Sequence, residues 1–248
     1  MSERHLGRLD VYPNAGALAA GLADLFCNVA ETAQTERGAF YVALAGGTTP
    51  TAAYKLLASD AYSERISWGD VYVYFGDERC VRPDDPLSNY KNAYDALLSH
   101  VPIPAGNVHR MQGEIDPAQA ATAYAQILRE DLGEYLRFDL LMLGLGKDGH
   151  TASLFPGTDP LTDNDRLVRA TYSKATQTNR ISITPKVINS ARVIAIATEG
   201  PDKAAALGIA RQGPYDPTAC PAQIVDPPAS SDFIWLVDEL AAGMLTKR

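Results

Sequence analysis

A chain of 248 residues can bury one large core, and its make-up, 46% hydrophobic and 21% charged, is ordinary for a globular protein. The formal charge of −8 argues against general binding to nucleic acid or an anionic membrane surface, but not against a small anion held by a few local cations. No apolar run approaches the roughly 18 residues that span a bilayer, the polar opening MSERHLGRLD lacks a signal-peptide core, and Cys27, Cys80 and Cys220, odd in number and in no CxxC pair, fit a reducing cytoplasm.

Along the chain, short apolar runs alternate with helical patterns. A helix over Ala17–Ala33 is followed by a strand at Phe40–Ala45, then a helix at Thr51–Ser59 with Pro50 suited to its first turn. The next strand is Val71–Phe75, and a helix at Asn89–Leu98 follows Ser88 as its cap. Pro117–Leu132 carries Tyr124, Ile127, Leu128 and Leu132 on one stripe. Strands at Asp139–Leu143, Val193–Ala197 and Phe233–Val237 complete the series, with a helix at Pro201–Ala210 before the last of them. Near-continuous hydrophobic strands alternating with helices predict an α/β fold, a mostly parallel Rossmann-like sheet with helices on both faces. With no repeat or linker in view, residues 1–248 read as one α/β domain, and the Pro/Asp-rich segments 82–88 and 213–228 read as surface loops.

A parallel sheet binds ligands outside the carboxyl ends of its strands, and three strand ends here carry polar chemistry. In ALAGGTTP, Gly46 and Gly47 permit positive φ and close backbone approach, Thr48 and Thr49 add hydroxyls, and a helix N-terminus follows. The same stretch also reads as a tight turn with a threonine cap. In YFGDERCVRPDDPLSNY, Asp77, Glu78 and Arg79 arrive just after a strand, either as a site or as a solvated ion-pair loop. In LMLGLGKDGHTASLFPG, Gly144, Gly146 and Gly149 surround Lys147, Asp148 and His150. Histidine titrates near neutrality, and Asp148 is placed to orient the imidazole. Arg180 in TNRISIT and Lys203 in TEGPDKAAAL supply further cations, each alone readable as surface charge. No GxSxG elbow, HExxH metal motif, Walker ending or GxGxxG opening is present, which disfavours nucleophilic-serine, metal and nicotinamide chemistry.

Taken in order, GGTTP, GDERCV…SNY and GLGKDGHTASLFPG resemble the three signatures of the 6-phosphogluconolactonase family, and the likeness runs on through NRISIT, EGPDKAAAL and FIWLVDELAA. The resemblance implies the fold of glucosamine-6-phosphate deaminases and ribose-5-phosphate isomerases. It implies hydrolysis of 6-phospho-D-glucono-1,5-lactone to 6-phosphogluconate, in the oxidative pentose phosphate pathway, without cofactor or metal. His150 matches the family's catalytic acid/base, with Asp148 beside it and Arg79 as the third catalytic group. Gly46, Gly47, Thr48, Asp77, Lys147, Arg180 and Lys203 match its substrate contacts. The expected partner is a sugar-phosphate lactone, not nucleic acid or membrane, and the expected form is a cytoplasmic monomer or weak homodimer. A deaminase is the nearest alternative, but those enzymes continue after the histidine toward a glutamate, where this chain reads TASLFPG.

Overall fold

The computed structural model describes residues 5–163 and 165–246. In chain order the first half gives β1 (Arg8–Tyr12), α1 (Ala15–Arg37), β2 (Phe40–Leu44), α2 (Thr48–Leu57), α3 (Asp60–Ser63), β3 (Val71–Phe75), β4 (Asp77–Arg79) and α4 (Asn89–Ala93). The second half gives α5 (Pro117–Leu132), β5 (Leu140–Leu143), β6 (Val168–Ser173), β7 (Thr178–Ile183), α6 (Pro185–Ile188), β8 (Val193–Thr198), α7 (Ala204–Gln212) and β9 (Asp232–Asp238).

Six strands form one wholly parallel sheet in the order β1-β9-β8-β5-β2-β3. The interior strands are apolar on both faces because both faces are covered. On β3, Val71, Val73 and Phe75 join the core under α1 and α2, packing with Leu22, Phe26, Tyr54 and Leu57. Tyr74 joins the opposite core with Tyr124 and Leu128 of α5 and Leu207 of α7, as do Phe233, Trp235 and Val237 of β9. The order reverses at β2, which pairs with β3 on one side and β5 on the other. The crevice above that reversal is where a parallel sheet of this kind holds its ligand, and the glycine–threonine and glycine–histidine loops follow β2 and β5.

The predicted parallel sheet and its helices are present, with shifts at their ends. Helix α2 begins at Thr48, earlier than expected, with Gly47 as its cap at φ 108°. The helix expected over Asn89–Leu98 is α-helical only to Ala93 and continues as a wider π turn over Tyr94–Leu98. The helix expected from Pro201 opens as a 3₁₀ turn, Pro201–Lys203, before α7. Strand β1 was not expected: RLDVY alternates charged and apolar residues and sits at the sheet edge, pairing only with β9 among the described residues.

A second, antiparallel sheet in the order β4-β7-β6 was also missed by the hydrophobic pattern. DER and TNRISI are too polar to read as buried strands. The segment 213–228 is a surface loop only in part, because Cys220, Pro221, Ala222, Gln223, Ile224 and Val225 are buried. That stretch packs beneath the loop after β5, where Ala222 N–H donates to Gly149 O at 2.8 Å. No described helix is long and apolar enough to cross a membrane.

Candidate active site

Strand β5 ends at buried Leu143, and the chain then turns through glycines that meet steric needs. Gly149 has φ 80°, a conformation L side chains rarely adopt, and a Cβ there would stand 2.8 Å from Cys220 Sγ. At Gly146 a Cβ would stand 2.0 Å from His150 Nδ1 and 2.6 Å from Asp148 Oδ1. The missing side chain is therefore the floor on which the imidazole–carboxylate pair rests.

Asp148 Oδ1 lies 2.5 Å from His150 Nδ1 and also accepts from His150 N–H at 3.2 Å. The hydrogen bond with His150 holds the Asp148 carboxyl below the usual carboxylate range, against the opposing effect of burial. An ionised carboxylate can only accept, so Nδ1 carries a hydrogen, and in the neutral form of the ring Nε2 has the lone pair. Gly146 N–H donates to His150 O at 2.8 Å, Thr151 Oγ1 donates to Gly144 O at 2.9 Å, and the Phe155 ring lies 4.9 Å from the imidazole.

The strand after β3 divides the DER residues between two faces, as a period of two requires. Buried Glu78 accepts from the backbone N–H groups of Asn89 and Tyr90 and from Ser88 Oγ, at 2.7, 2.9 and 2.9 Å. Burial pushes its carboxyl upward while those bonds pull it back. Glu78 thus anchors the start of α4 and faces away from the cleft.

Asp77 and Arg79 project the other way and line the cleft. Arg79 Nη1 donates to Leu87 O at 2.8 Å and to Asn89 Oδ1 at 2.5 Å. Asp77 accepts from Ser153 Oγ at 2.5 Å and from Asn89 Nδ2 at 3.1 Å. The β4–β7 register sets Arg79 opposite Arg180. Arg180 donates to Thr178 Oγ1 and Thr176 Oγ1, at 3.1 and 3.0 Å. Burial and the adjacent Arg79 cation both act against its charge, so an anion that joins the pair relieves that strain.

These groups open into one cleft of about 350 Å³, a volume in the range of small-ligand sites. Gly46, Gly47, Asp77 and Arg79 line it, with Asp148, His150, Arg180 and Lys203. Lys203 Nζ donates to Leu145 O at 2.9 Å, which seats the ammonium at the neck of the glycine–histidine loop. Two residues expected at the site lie apart from the lining. Lys147 has a side chain 71% exposed and pairs with Asp202 at 3.1 Å, and Thr48 Oγ1 is directed at Glu199, 3.4 Å away. Asn89, Ser153 and Thr176 line the cleft without having been singled out as site residues. Asn89 stands in SNY and Ser153 three places past His150, so both lay within recognised stretches whose side-chain directions only the fold supplies.

Among the described residues no group of three or more His, Cys, Asp or Glu could hold a metal ion.

Comparison with known proteins gives the chain a family and the fold its relatives. The family model described as glucosamine-6-phosphate isomerases/6-phosphogluconolactonase matches residues 13–235. A 6-phosphogluconolactonase of Nostoc sp. (strain PCC 7120 / SAG 25.82 / UTEX 2576) is 35% identical over 243 residues, covering 96% of this chain and 98% of that protein. The solved structure of the 6-phosphogluconolactonase of Trypanosoma brucei superposes with a TM-score of 0.85 at 25% identity, covering 97% of this chain and 99% of that one. A monomeric glucosamine-6-phosphate deaminase, at 20% identity and a TM-score of 0.82 over 96% of this chain and all of the other (100%), shares the fold. The chain belongs to the glucosamine-6-phosphate isomerase/6-phosphogluconolactonase family.

Proposed function

We propose that the protein hydrolyses 6-phospho-D-glucono-1,5-lactone to 6-phosphogluconate, the second step of the oxidative pentose phosphate pathway. The observation that carries this reading is one cleft whose lining an oriented imidazole, His150, shares with the cations Arg79, Arg180 and Lys203. A δ-lactone is an activated ester, so these groups suffice for its hydrolysis.

In the mechanism, His150 Nε2 takes a proton from water as the water oxygen bonds to C1 and the carbonyl π electrons move onto its oxygen. Arg79 stabilises that oxyanion. Asp148 stabilises the imidazolium without itself taking the proton. When the tetrahedral species collapses, the C1–O5 bond breaks and the imidazolium protonates O5. The product is the open-chain acid, which ionises in solution and leaves His150 neutral. Arg180 and Lys203 grip the phosphate, and that remote binding turns a chance encounter into a held geometry.

The stretch after His150, TASLFPG, lacks the glutamate with which the deaminases continue, which argues against ketose–aldose chemistry. Of the nearby carboxylates, Asp77 accepts from Ser153 and Asn89, Asp148 pairs with His150, and Glu78 points away. The test is to follow freshly generated lactone and, in parallel, glucosamine 6-phosphate. Loss of lactone well above its spontaneous rate, with no ammonia from the amino sugar, supports the reading. The reverse result would overturn it.

A further inference from the structure

Asn89 is 2% exposed and stands where all three cleft loops meet. Its Oδ1 accepts from Arg79 Nη1 at 2.5 Å, and its Nδ2 donates to Asp77 O at 2.8 Å and Asp77 Oδ1 at 3.1 Å. The other Asp77 oxygen accepts from Ser153 Oγ at 2.5 Å, and Ser153 lies three residues beyond His150. On the third side the carboxamide presses on the glycine–threonine loop, since a Cβ at Gly46 would stand 1.8 Å from Asn89 Oδ1. The backbone of Asn89 is itself fixed, its N–H bound by Glu78 Oε1 at 2.7 Å in the first turn of α4. Both amide hydrogens are committed to Asp77, so the side chain has no donor left for a substrate. Its free energy goes into holding neighbours still.

We propose that Asn89 is a positioning residue: its carboxamide sets the direction of the Arg79 guanidinium and, through Asp77 and Ser153, the distance of that cation from the His150 loop. The inference rests on the lactonase reading, in which Arg79 meets the oxyanion and not the ground-state carbonyl. A residue that acts through Arg79 changes turnover and leaves substrate affinity nearly alone. In Asn89→Ala, Arg79 keeps only the Leu87 carbonyl of its two hydrogen-bond acceptors and swings.

The experiment is a double-mutant cycle on the full chain with 6-phosphogluconolactone. Asn89→Ala should lower kcat about tenfold to a hundredfold with KM within about twofold of wild type. The same substitution in an Arg79→Ala background should cause no further loss, and in a Lys203→Ala background its full loss. An equal loss in the Arg79→Ala background, or unchanged kcat in the single variant, would overturn the proposal. Asn89→Asp keeps an acceptor toward Arg79 but sets a carboxylate against Asp77 Oδ1, so it should lose at least as much turnover as Asn89→Ala, and wild-type turnover in it would count against the part given to Asp77. Arginine side-chain NMR on the same proteins needs no turnover. The Arg79 resonance, assigned by its loss in Arg79→Lys, should be sharp in wild type and broadened in Asn89→Ala. A wild-type protein inert toward the lactone would sink the functional reading, and the resonance would still decide whether Asn89 places Arg79; equal line widths would say that it does not.

Discussion

At Gly146 a single methyl group would meet His150 Nδ1 at 2.0 Å and the Asp148 carboxylate at 2.6 Å, so the hydrogen-bonded pair would have to move to admit it. Gly146 is not among the residues with positive φ, so alanine is acceptable to the backbone and the clash falls on the imidazole. Gly146→Ala should therefore lower kcat about a hundredfold, as displacements of about 1 Å do, while its melting temperature stays near that of wild type. A variant with native turnover would show that the imidazole is not held where it must be for the proposed chemistry. Lys203 makes the converse case. Its ammonium reaches the cleft from the turn before α7, and loss of a charged hydrogen-bond donor to phosphate costs about 1.5–3 kcal/mol. Lys203→Ala should raise KM about tenfold or more with a smaller change in kcat, measured from initial rates corrected for spontaneous hydrolysis. A change confined to kcat would remove Lys203 from phosphate binding.

Among the elements, β4 does the most with the least chain. Three residues in extended form send Asp77 and Arg79 to the cleft and Glu78 to the helix behind it, so one short strand joins the site to its support. Strand β3 has a different burden on the face away from α1 and α2. The extended stretch at Val108 bridges Val73, and His109 stacks on Tyr74 at 4.7 Å. Tyr74 Oη donates to Asp131 Oδ2 at 2.9 Å, His109 Nδ1 lies 3.6 Å from the same oxygen, and His109 Nε2 is buried without a hydrogen-bond partner. Burial lowers the imidazole's pKa below its ordinary 6.5, and Asp131 only partly offsets this. Between the folded value and 6.5 the unfolded chain binds the extra proton, so stability is complete above about 6.5 and is lost as the pH falls through it. Wild type should accordingly lose more melting temperature between about pH 7.5 and pH 5.5 than His109→Phe, which keeps the stack and cannot be protonated. Equal losses would contradict this account of the buried ring.

Over the whole molecule, the legible parts of the sequence were those where burial writes a simple pattern. Phe40–Leu44, Val71–Phe75 and Val193–Thr198 are continuous apolar runs because two helical layers cover them. The small antiparallel sheet gave no such pattern, since Asp77, Arg79 and Arg180 are polar for the sake of the cleft they line. Cys220 to Val225 looked like loop because prolines and polar residues surround it, yet it is buried to support Gly149. His150, Asp148 and Arg79 stood out as charge in glycine-rich strand ends, whereas Asn89 matters through bonds made across three separate loops that no linear spacing reveals. Lys147 and Thr48 illustrate the opposite: neighbours in sequence of groups that line the cleft, but turned toward Asp202 and Glu199.

The central claim is that one imidazole, oriented by Asp148, moves the protons of lactone hydrolysis. The most direct measurement compares the first-order decay of freshly prepared 6-phosphogluconolactone with wild type, with His150→Ala and with no protein. Wild type should greatly outpace spontaneous decay, and His150→Ala should fold normally while kcat drops about 10²- to 10⁴-fold. A folded His150→Ala protein that turns the lactone over at the wild-type rate would contradict the account.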